Sequence, residues 1–210
     1  EKWTGPPPRA NLNQPQRSPV VAEAVAYLNN RRVSVAWNGE RLVTGRADGP
    51  LEFDGDGPLL VWDLRGILKN RPAPGPLPLN PKRETLVDSG MAWGEDVIDA
   101  IMADRGTVIV PLRSLRGWGE LDEALSYAEL ELVSLDWAEE PVAAHADFQG
   151  DIVELLRQLL RRNIPRVMVN SLDGSFPFIP AGLAGSVRLD VAMLTDGHPP
   201  NWAGEVFRLG

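Results

Sequence analysis

Short apolar runs that end on an acidic residue recur through the middle of the chain. Four such runs occupy residues 59–63 (LLVWD), 85–88 (TLVD), 132–136 (LVSLD) and 167–173 (VMVNSLD). Strands that are buried on both faces of a parallel sheet read as continuous apolar runs of this kind. The carboxyl ends of parallel strands meet at one edge, where α/β folds bind their ligands. The pattern therefore predicts a parallel sheet with acidic side chains along one shared edge.

Helical patterns fill the intervals between these runs from residue 84 onward. The predicted strands 84–87, 107–110, 131–135 and 166–170 alternate with the predicted helices 94–103, 120–128 and 150–162. The last helix has the clearest pattern, because Asp151 is placed as an N-cap and leucines recur along one face. Alternation of strands and helices predicts βαβ crossovers and an α/β fold. Two further strands are predicted at 186–193 and 205–209.

The first quarter of the chain has a different pattern. Residues 18–28 place apolar side chains at helical spacing and predict a short amphipathic helix that ends at Asn29 and Asn30. The segments 32–37 and 41–44 flank Asn38-Gly39, which is a strong signal for a hairpin turn. The glycine-rich and proline-rich stretches 47–58 and 70–81 are predicted to be loops.

The first eighteen residues are rich in proline and contain few apolar side chains. Proline fixes the backbone near an extended geometry and lacks an amide donor, so residues 1–18 are predicted to form an extended arm. Two interpretations remain open: a solvated tail, or an arm that lies along a partner subunit with Trp3 as an anchor. Residues 19–210 are long enough for one core and are predicted to form a single α/β domain.

Composition excludes several classes of function. The formal net charge of -8 argues against a broad nucleic-acid footprint, since phosphate binding requires clustered Lys and Arg. The absence of cysteine excludes disulfides, thiolate metal sites and a cysteine nucleophile. The apolar stretches are far shorter than the roughly 20 residues that span a bilayer. We therefore expect a cytoplasmic protein with no membrane partner, and the sequence indicates neither a cofactor nor a metal site.

The order of motifs from residue 59 to 174 resembles the HisA/HisF-like barrels, which include the phosphoribosyl isomerases of histidine biosynthesis. The segments TLVDSG, TVIVP, LVSLD and VMVNSLDG match the turns after the family's third to sixth strands, and LLVWD matches its second strand. The resemblance implies a TIM-barrel-like fold. Two departures indicate a shortened or remodelled barrel: the candidate first strand, RVSVAW, offers no carboxylate, and about 36 residues follow Gly174. An open doubly wound sheet is the alternative.

The resemblance implies an isomerase or lyase that acts on a small phosphorylated metabolite. General acid and base catalysis of this kind uses paired carboxylates whose pKa values are split by their surroundings. The candidate catalytic residues are the strand-end acids Asp136, Asp88, Asp63 and Asp173. The candidate ligand-binding residues are Ser89, Gly90, Gly174 and His145. An aspartate after a strand also caps helices and closes turns, so a structural role stays open for each acid.

A function of another class is equally compatible with the sequence. The missing first aspartate, and the lack of a glycine-rich phosphate turn after Asp190, favour a catalytically inactive barrel that serves as a subunit of a larger assembly. Seven tryptophans are present, four of them beside strand ends or in connections: Trp62, Trp93, Trp118 and Trp137. They could stack a flat ligand or form an interface. The expected partners are a small anionic metabolite and, through the arm and the tryptophans, a homo- or hetero-oligomer.

Overall fold

A computed structural model describes residues 20–50, 56–77, 79–103 and 106–209. In these residues the strands are β1 Val20–Leu28, β2 Arg31–Trp37, β3 Leu42–Pro50, β4 Leu59–Asp63, β5 Thr85–Asp88, β6 Thr107–Pro111, β7 Leu132–Ala138, β8 Glu140–Val142, β9 Arg166–Ser171, β10 Arg188–Met193 and β11 Glu205–Leu209. The α-helices are α1 Leu64–Ile67, α2 Gly94–Met102, α3 Trp118–Tyr127, α4 Ile152–Arg161 and α5 Ala181–Ala184. A 3₁₀ helix covers Ala146–Phe148. The predicted arm at residues 1–18 lies outside the described residues.

Eight of the strands form a closed parallel barrel. Their order around the barrel is β1, β4, β5, β6, β7, β9, β10 and β11. Strand β11 pairs in parallel with β1, with Val20 opposite Glu205 and Ala24 opposite Leu209, and this pairing closes the circle. The predicted TIM-barrel-like α/β fold is confirmed. The alternative of an open doubly wound sheet is wrong, because an open sheet would leave β1 and β11 unpaired with each other.

Strand β1 occupies the segment for which a helix was expected. The expected helix at 18–28 is wrong because the same apolar residues also fit a period of two. Ala22, Ala24 and Ala26 face the barrel interior, whereas Val25 and Tyr27 pack on its outer side. Parallel neighbours pair with both edges of β1, and β-branched and aromatic residues suit that environment. Tertiary pairing thus determines the structure of this segment.

The segment after β1 forms a three-stranded antiparallel extension of the barrel wall. Asn29 and Asn30 have positive φ angles of 51° and 63° and form the two-residue turn from β1 to β2, so they do not end a helix. The predicted hairpin around Asn38-Gly39 is confirmed and joins β2 to β3. RVSVAW, the candidate first barrel strand, belongs to β2 in this hairpin. The predicted loop at 47–58 begins too early, since β3 continues to residue 50.

The middle of the chain follows the predicted alternation. Helices α2, α3 and α4 follow β5, β6 and β7, and their ends lie within a few residues of the predicted positions. On the other side of the barrel the connections are short. Helix α5 has four residues, and residues 194–204 join β10 to β11 without a helix. The barrel is therefore a reduced TIM-like barrel, in which the last two strands close the sheet with little helical cover.

The N-terminal end of the barrel is filled by an ion network. Arg166 bonds Asp190 and also contacts Glu205 at 2.9 Å, while Arg188 contacts Glu205 at 2.8 Å. Above this network lies a fully buried apolar layer formed by Leu60, Leu86, Ile109, Leu132, Met168 and Phe207. Because side chains fill this end, the barrel can receive a ligand only at the carboxyl ends of its strands.

Helix α1 contacts the turn that follows β5 through two glycines. A Cβ added at Gly90 would lie 2.4 Å from the Ile67 Cα, and one added at Gly66 would lie 2.0 Å from the Ser89 carbonyl oxygen. Gly90 also has a positive φ of 71°. Any larger side chain would force the two backbones apart.

We expect Gly90→Ala to lower the free energy of unfolding by at least about 3 kcal/mol, because it adds a backbone clash to a strained φ. Gly75→Ala is the matched control. Gly75 has a φ of 88° and open space around it. That variant should lose about 1 kcal/mol from the strained φ alone. Urea unfolding measures both variants, and equal losses would contradict close backbone packing at Gly90.

Candidate active site

Four polar side chains meet at the carboxyl ends of β5, β7 and β9, and we call them the mouth cluster: Asp88, Arg113, Asp136 and Asn170. Arg113 donates from Nη2 to Asp88 Oδ2 at 2.8 Å and from Nη1 to Asp136 Oδ2 at 2.9 Å. Asn170 Nδ2 donates to Asp136 Oδ1 at 2.7 Å. The arginine therefore bridges the two carboxylates, and the amide fixes one of them.

The strand register explains why these side chains meet. Asp136 and Asn170 are direct partners in the pairing of β7 with β9, and both face the barrel interior. Asp88 is the register partner of Trp62, which also faces inward. Arg113 lies in the loop after β6, where its carbonyl oxygen accepts the Ala144 N–H at 2.9 Å. Backbone hydrogen bonds thus fix the main-chain position of every residue in the cluster.

The mouth cluster is almost fully buried and carries one more negative charge than positive charge when both acids are ionised. The two aspartate side chains are 1% exposed and that of Arg113 is 12% exposed. Burial raises the pKa of Asp88, and the nearby Asp136 adds to this effect, while Arg113 opposes it. Burial also acts to lower the pKa of Arg113, but the two carboxylates outweigh it and raise that pKa. Arg113 stays charged, and Asp88 holds a proton more readily than an ordinary aspartate.

Several buried polar atoms around the cluster lack a hydrogen-bond partner among the described residues. On the interior face of the barrel these atoms are Trp62 Nε1, Arg113 Nε, Ser134 Oγ and Asn170 Oδ1. Unpaired buried polar groups are uncommon in folded proteins and require an explanation. Their concentration at one end of the barrel suits a site that binds a polar ligand.

A cavity of about 640 Å³ opens directly above the mouth cluster. We call it the mouth cavity. Arg113 and Asp136 form its floor, the hairpin residues Trp37 and 40–44 lie on one side, and Ile67, Leu68 and Asn70 lie on the other. Its volume is suited to a small metabolite. The hairpin that follows β1 thus covers the candidate active site.

Asp63 and Asp173 lie away from the mouth cluster. Asp63 accepts the Arg65 backbone N–H at 3.2 Å as the N-cap of α1, and it binds the Arg65 side chain at 2.8 Å. Asp173 lies beyond the end of β9 in an exposed turn, where it accepts the Ser175 N–H at 2.8 Å. The structure therefore brings Asp88 and Asp136 together and places the other two acids in cap and turn positions.

The predicted ligand-binding residues also lie at separate places. Ser89 and Gly90 are buried against α1, and the Gly90 N–H donates to Asp88 Oδ1 at 3.0 Å. Gly174 has a φ of 91° and packs beside Thr195. His145 is half-buried in a groove next to the mouth cavity. The Ser89-Gly90 turn thus contributes by orienting Asp88.

Sequence reasoning did not identify Arg113 or Asn170, and it marked Trp62 only as one of several tryptophans near strand ends. Arg113 follows the apolar run TVIVP by two residues, so a basic residue at that strand edge was the available signal. Asn170 lies inside the run VMVNSLD, two positions after the inward-facing Met168, and alternation would have marked it as inward. The indole of Trp62 lies beneath Arg113, with the guanidinium carbon 5.9 Å from its ring centroid.

No protein-family model matches the chain, and no curated protein matches its sequence. Among the described residues, no group of three or more His, Asp or Glu side chains is arranged to hold a metal ion. None of the helices in that part of the chain is long and apolar enough to span a membrane.

The raised pKa of Asp88 predicts a pH dependence of stability. The folded-state pKa of Asp88 lies above the usual value of about 4. The contribution of Asp88 to the free energy of unfolding is therefore fully present below about pH 4 and is lost as the pH rises through the raised pKa. Asp88→Asn cannot ionise and should lack this loss. We expect the unfolding free energy of the wild type to fall relative to that of the variant over this range.

Urea unfolding at a series of pH values measures this difference. Asp173→Asn, which changes an exposed aspartate, should follow the wild-type curve. Wild-type and Asp88→Asn curves that stay parallel through the range would contradict a raised pKa. A constant offset between them would report only the changed hydrogen bond to Arg113.

Removal of Arg113 should destabilise the protein strongly. Arg113→Gln leaves two buried carboxylates facing each other, and breaking a buried ion pair in this way costs about 3–5 kcal/mol. The loss in the free energy of unfolding should shrink in acid as the carboxylates protonate. Arg157→Gln is the control, because Arg157 and Glu154 form an exposed pair at 3.8 Å. That variant should lose less than about 1 kcal/mol, and similar losses in both variants would show that Arg113 does not stabilise the mouth cluster.

Proposed function

We propose that the protein is an enzyme, an isomerase or lyase, that moves protons on a small phosphorylated metabolite bound in the mouth cavity. The observation that carries this proposal is the buried pair of Asp88 and Asp136, bridged by Arg113 on the floor of a cavity of metabolite size. Enzymes commonly use two carboxylates in different surroundings as the general acid and the general base of a proton-transfer reaction.

Asp136 is the proposed general base. Unlike Asp88, it lines the mouth cavity, so its carboxylate can reach a bound ligand. Asn170 and Arg113 hold both of its oxygens in a fixed orientation. In an aldose-to-ketose isomerisation, Asp136 would take the proton from the carbon next to the carbonyl and return it to the former carbonyl carbon, while the hydroxyl proton passes from the neighbouring oxygen to the former carbonyl oxygen. The carboxylate regains its starting state when the proton is returned.

Asp88 and Arg113 have supporting roles in this proposal. The Arg113 guanidinium, which stays charged, lies where it can stabilise the negative charge that develops on the substrate oxygen. Asp88, whose pKa burial raises, can keep a proton within the cluster and so balance its charge. The hairpin β2–β3 excludes water from the reaction, since Trp37 and Leu42 pack with the apolar residues at the barrel mouth.

Membership of the HisA/HisF-like barrels is part of the same proposal. Two features support it: the eight-stranded parallel barrel, and the inward acids at the ends of the third and fifth barrel strands, Asp88 and Asp136. The first barrel strand, β1, ends at Leu28 and offers no acid there. The proposed chemistry therefore rests on two acids rather than on an acid at the first strand.

The competing hypothesis of a non-catalytic assembly subunit has less support from the described residues. It rested on the proline-rich arm, the missing first aspartate, the missing phosphate turn and exposed tryptophans, but Trp62 is fully buried and Trp137 is 9% exposed. Trp93 is the one large exposed indole in the described part of the chain, at 46%. A single exposed tryptophan beside a groove suits ligand binding as well as it suits a protein interface.

Asp136→Asn tests the proposed function. A panel of aldose and ketose phosphates is incubated with the protein in D₂O, and deuterium incorporation next to the carbonyl is followed by NMR. We expect the wild type to catalyse exchange and the variant to lose it by at least about 100-fold, because the base is gone while the shape is kept.

The matched control is Asp173→Asn, which removes one exposed carboxylate from the same face of the barrel and should keep full activity. Circular dichroism verifies that both variants are folded. Exchange that survives in Asp136→Asn would remove this residue from the role of base. Failure of every phosphate in the panel to exchange would contradict an isomerase acting on this substrate class.

A further inference from the structure

A second groove, of about 1020 Å³, lies beside the mouth cavity and opens toward α1 and α2. It shares Asn70 and Ala144 with the mouth cavity, so the two spaces adjoin each other. Four basic side chains line the groove, and we call it the basic groove: Lys69, Arg71, Arg116 and His145. They come from the connections after three barrel strands, β4, β6 and β7, which the fold brings to one place.

The lysine and the two arginines of the basic groove have no charged partner among the described residues. Lys69, Arg71 and Arg116 form no ion pair with any described residue, whereas most described arginines do. The chain as a whole carries a net charge of -8. A cluster of unpaired cations around one concave surface runs against that overall charge and is suited to an anionic ligand.

Most of the acids in the groove already have partners. Asp96 accepts two backbone N–H groups ahead of α2, at 3.1 and 3.2 Å. Glu120 accepts the first N–H of α2 at 2.9 Å. These hydrogen bonds direct both carboxylates toward the backbone of α2 and leave Glu95 as the remaining acid of the lining. The lining thus has three acids and three Lys or Arg side chains, but two of the acids are turned toward the backbone of α2.

Arg116 is already held in place to receive a ligand. Its guanidinium carbon lies 4.3 Å from the ring centroid of Trp93, and its backbone N–H donates to the Ala92 carbonyl at 3.0 Å. An arginine that stacks on an indole keeps its N–H groups available at the edge of the guanidinium plane. Less conformational entropy is lost when such a side chain binds an anion.

His145 adds a fourth donor to the groove. Its Nδ1 accepts the Asp147 backbone N–H at 3.3 Å, which assigns the ring proton to Nε2 in the neutral form. Its Nδ1 also lies 3.5 Å from the Asp147 carboxylate. The ring is therefore oriented from one side, and its other nitrogen can donate to a ligand.

We propose that the basic groove binds the phosphate group of a compound whose other end reaches the mouth cavity. The identity of that compound as a substrate rests on the proposed function, whereas phosphate binding in the groove does not. The Ser89-Gly90 turn is packed against α1, so side-chain cations rather than this glycine turn hold the phosphate. The substrate then lies with its phosphate outside the barrel axis and its reacting carbon above Asp136.

Titration of the full chain with inorganic phosphate, followed by calorimetry and ³¹P NMR, tests the groove directly. We expect binding with a dissociation constant of about 1 mM or tighter at low ionic strength. Arg116→Ala and Lys69→Ala should each weaken binding by about tenfold, and the double variant by more, since each variant removes a charged donor.

Matched controls distinguish a specific phosphate site from general electrostatic attraction to the protein surface. Arg46→Ala and Lys82→Ala remove exposed cations that form no ion pair with the described residues and lie outside the groove. They should leave phosphate binding unchanged. Equal weakening by control and groove variants would overturn the proposal. It would also be overturned if the wild type showed no binding at a phosphate concentration of about ten times the expected dissociation constant.

A last variant separates this inference from the proposed function. Asp136→Asn should bind phosphate as tightly as the wild type, whether or not the wild type shows deuterium exchange. Phosphate binding that depends on Arg116, in a protein that exchanges no proton, would support the groove and overturn only the proposed reaction. Exchange that needs Asp136 but is unaffected by the groove variants would overturn the groove and leave the reaction in place.

Discussion

The contact of Arg113 with Asp88 and Asp136 is the interaction on which the candidate active site depends. Closing eight parallel strands brings the ends of β5 and β7 to one opening, so two inward-facing carboxylates are forced close together in a buried space. One guanidinium that binds both carboxylates offsets their mutual repulsion and the cost of burying them. The same arginine connects the loop after β6 to both neighbouring strand ends, so the shape of the opening and its charge are set together.

The apolar runs allowed the barrel to be predicted because a strand buried on both faces needs no alternation to be recognised. Residues 20–28 were misjudged because alanine and valine at those positions satisfy a period of 3.6 and a period of two, and only pairing with β4 and β11 decides between them. The Asn29-Asn30 pair carried the missing information, since two consecutive residues that tolerate positive φ indicate a tight hairpin turn.

The candidate site was predictable in part. Asp88 and Asp136 were identified because each ends a run, but so does Asp63, and one step in strand register decides whether a side chain faces the interior or the outer surface. Asp63 shares the outward face of Leu59 and Val61. The position of Arg113 after an apolar run did not reveal its role, because its partners lie more than twenty residues away on either side and are brought to it by the fold.

The continuity of β1 with β2 and β3 determines which side of the mouth cavity is covered. The hairpin over the barrel mouth is an extension of the barrel wall, hydrogen-bonded to β1 and joined to it by a rigid two-residue turn. Moving a cover attached in this way would break hydrogen bonds between β1 and β2, which the motion of a free loop does not require. On the side of α1 and α2 the mouth cavity adjoins the basic groove. Under the proposals above, a molecule entering from this side would meet positive charge first and the carboxylates last, and this order would favour compounds with an anionic leading end.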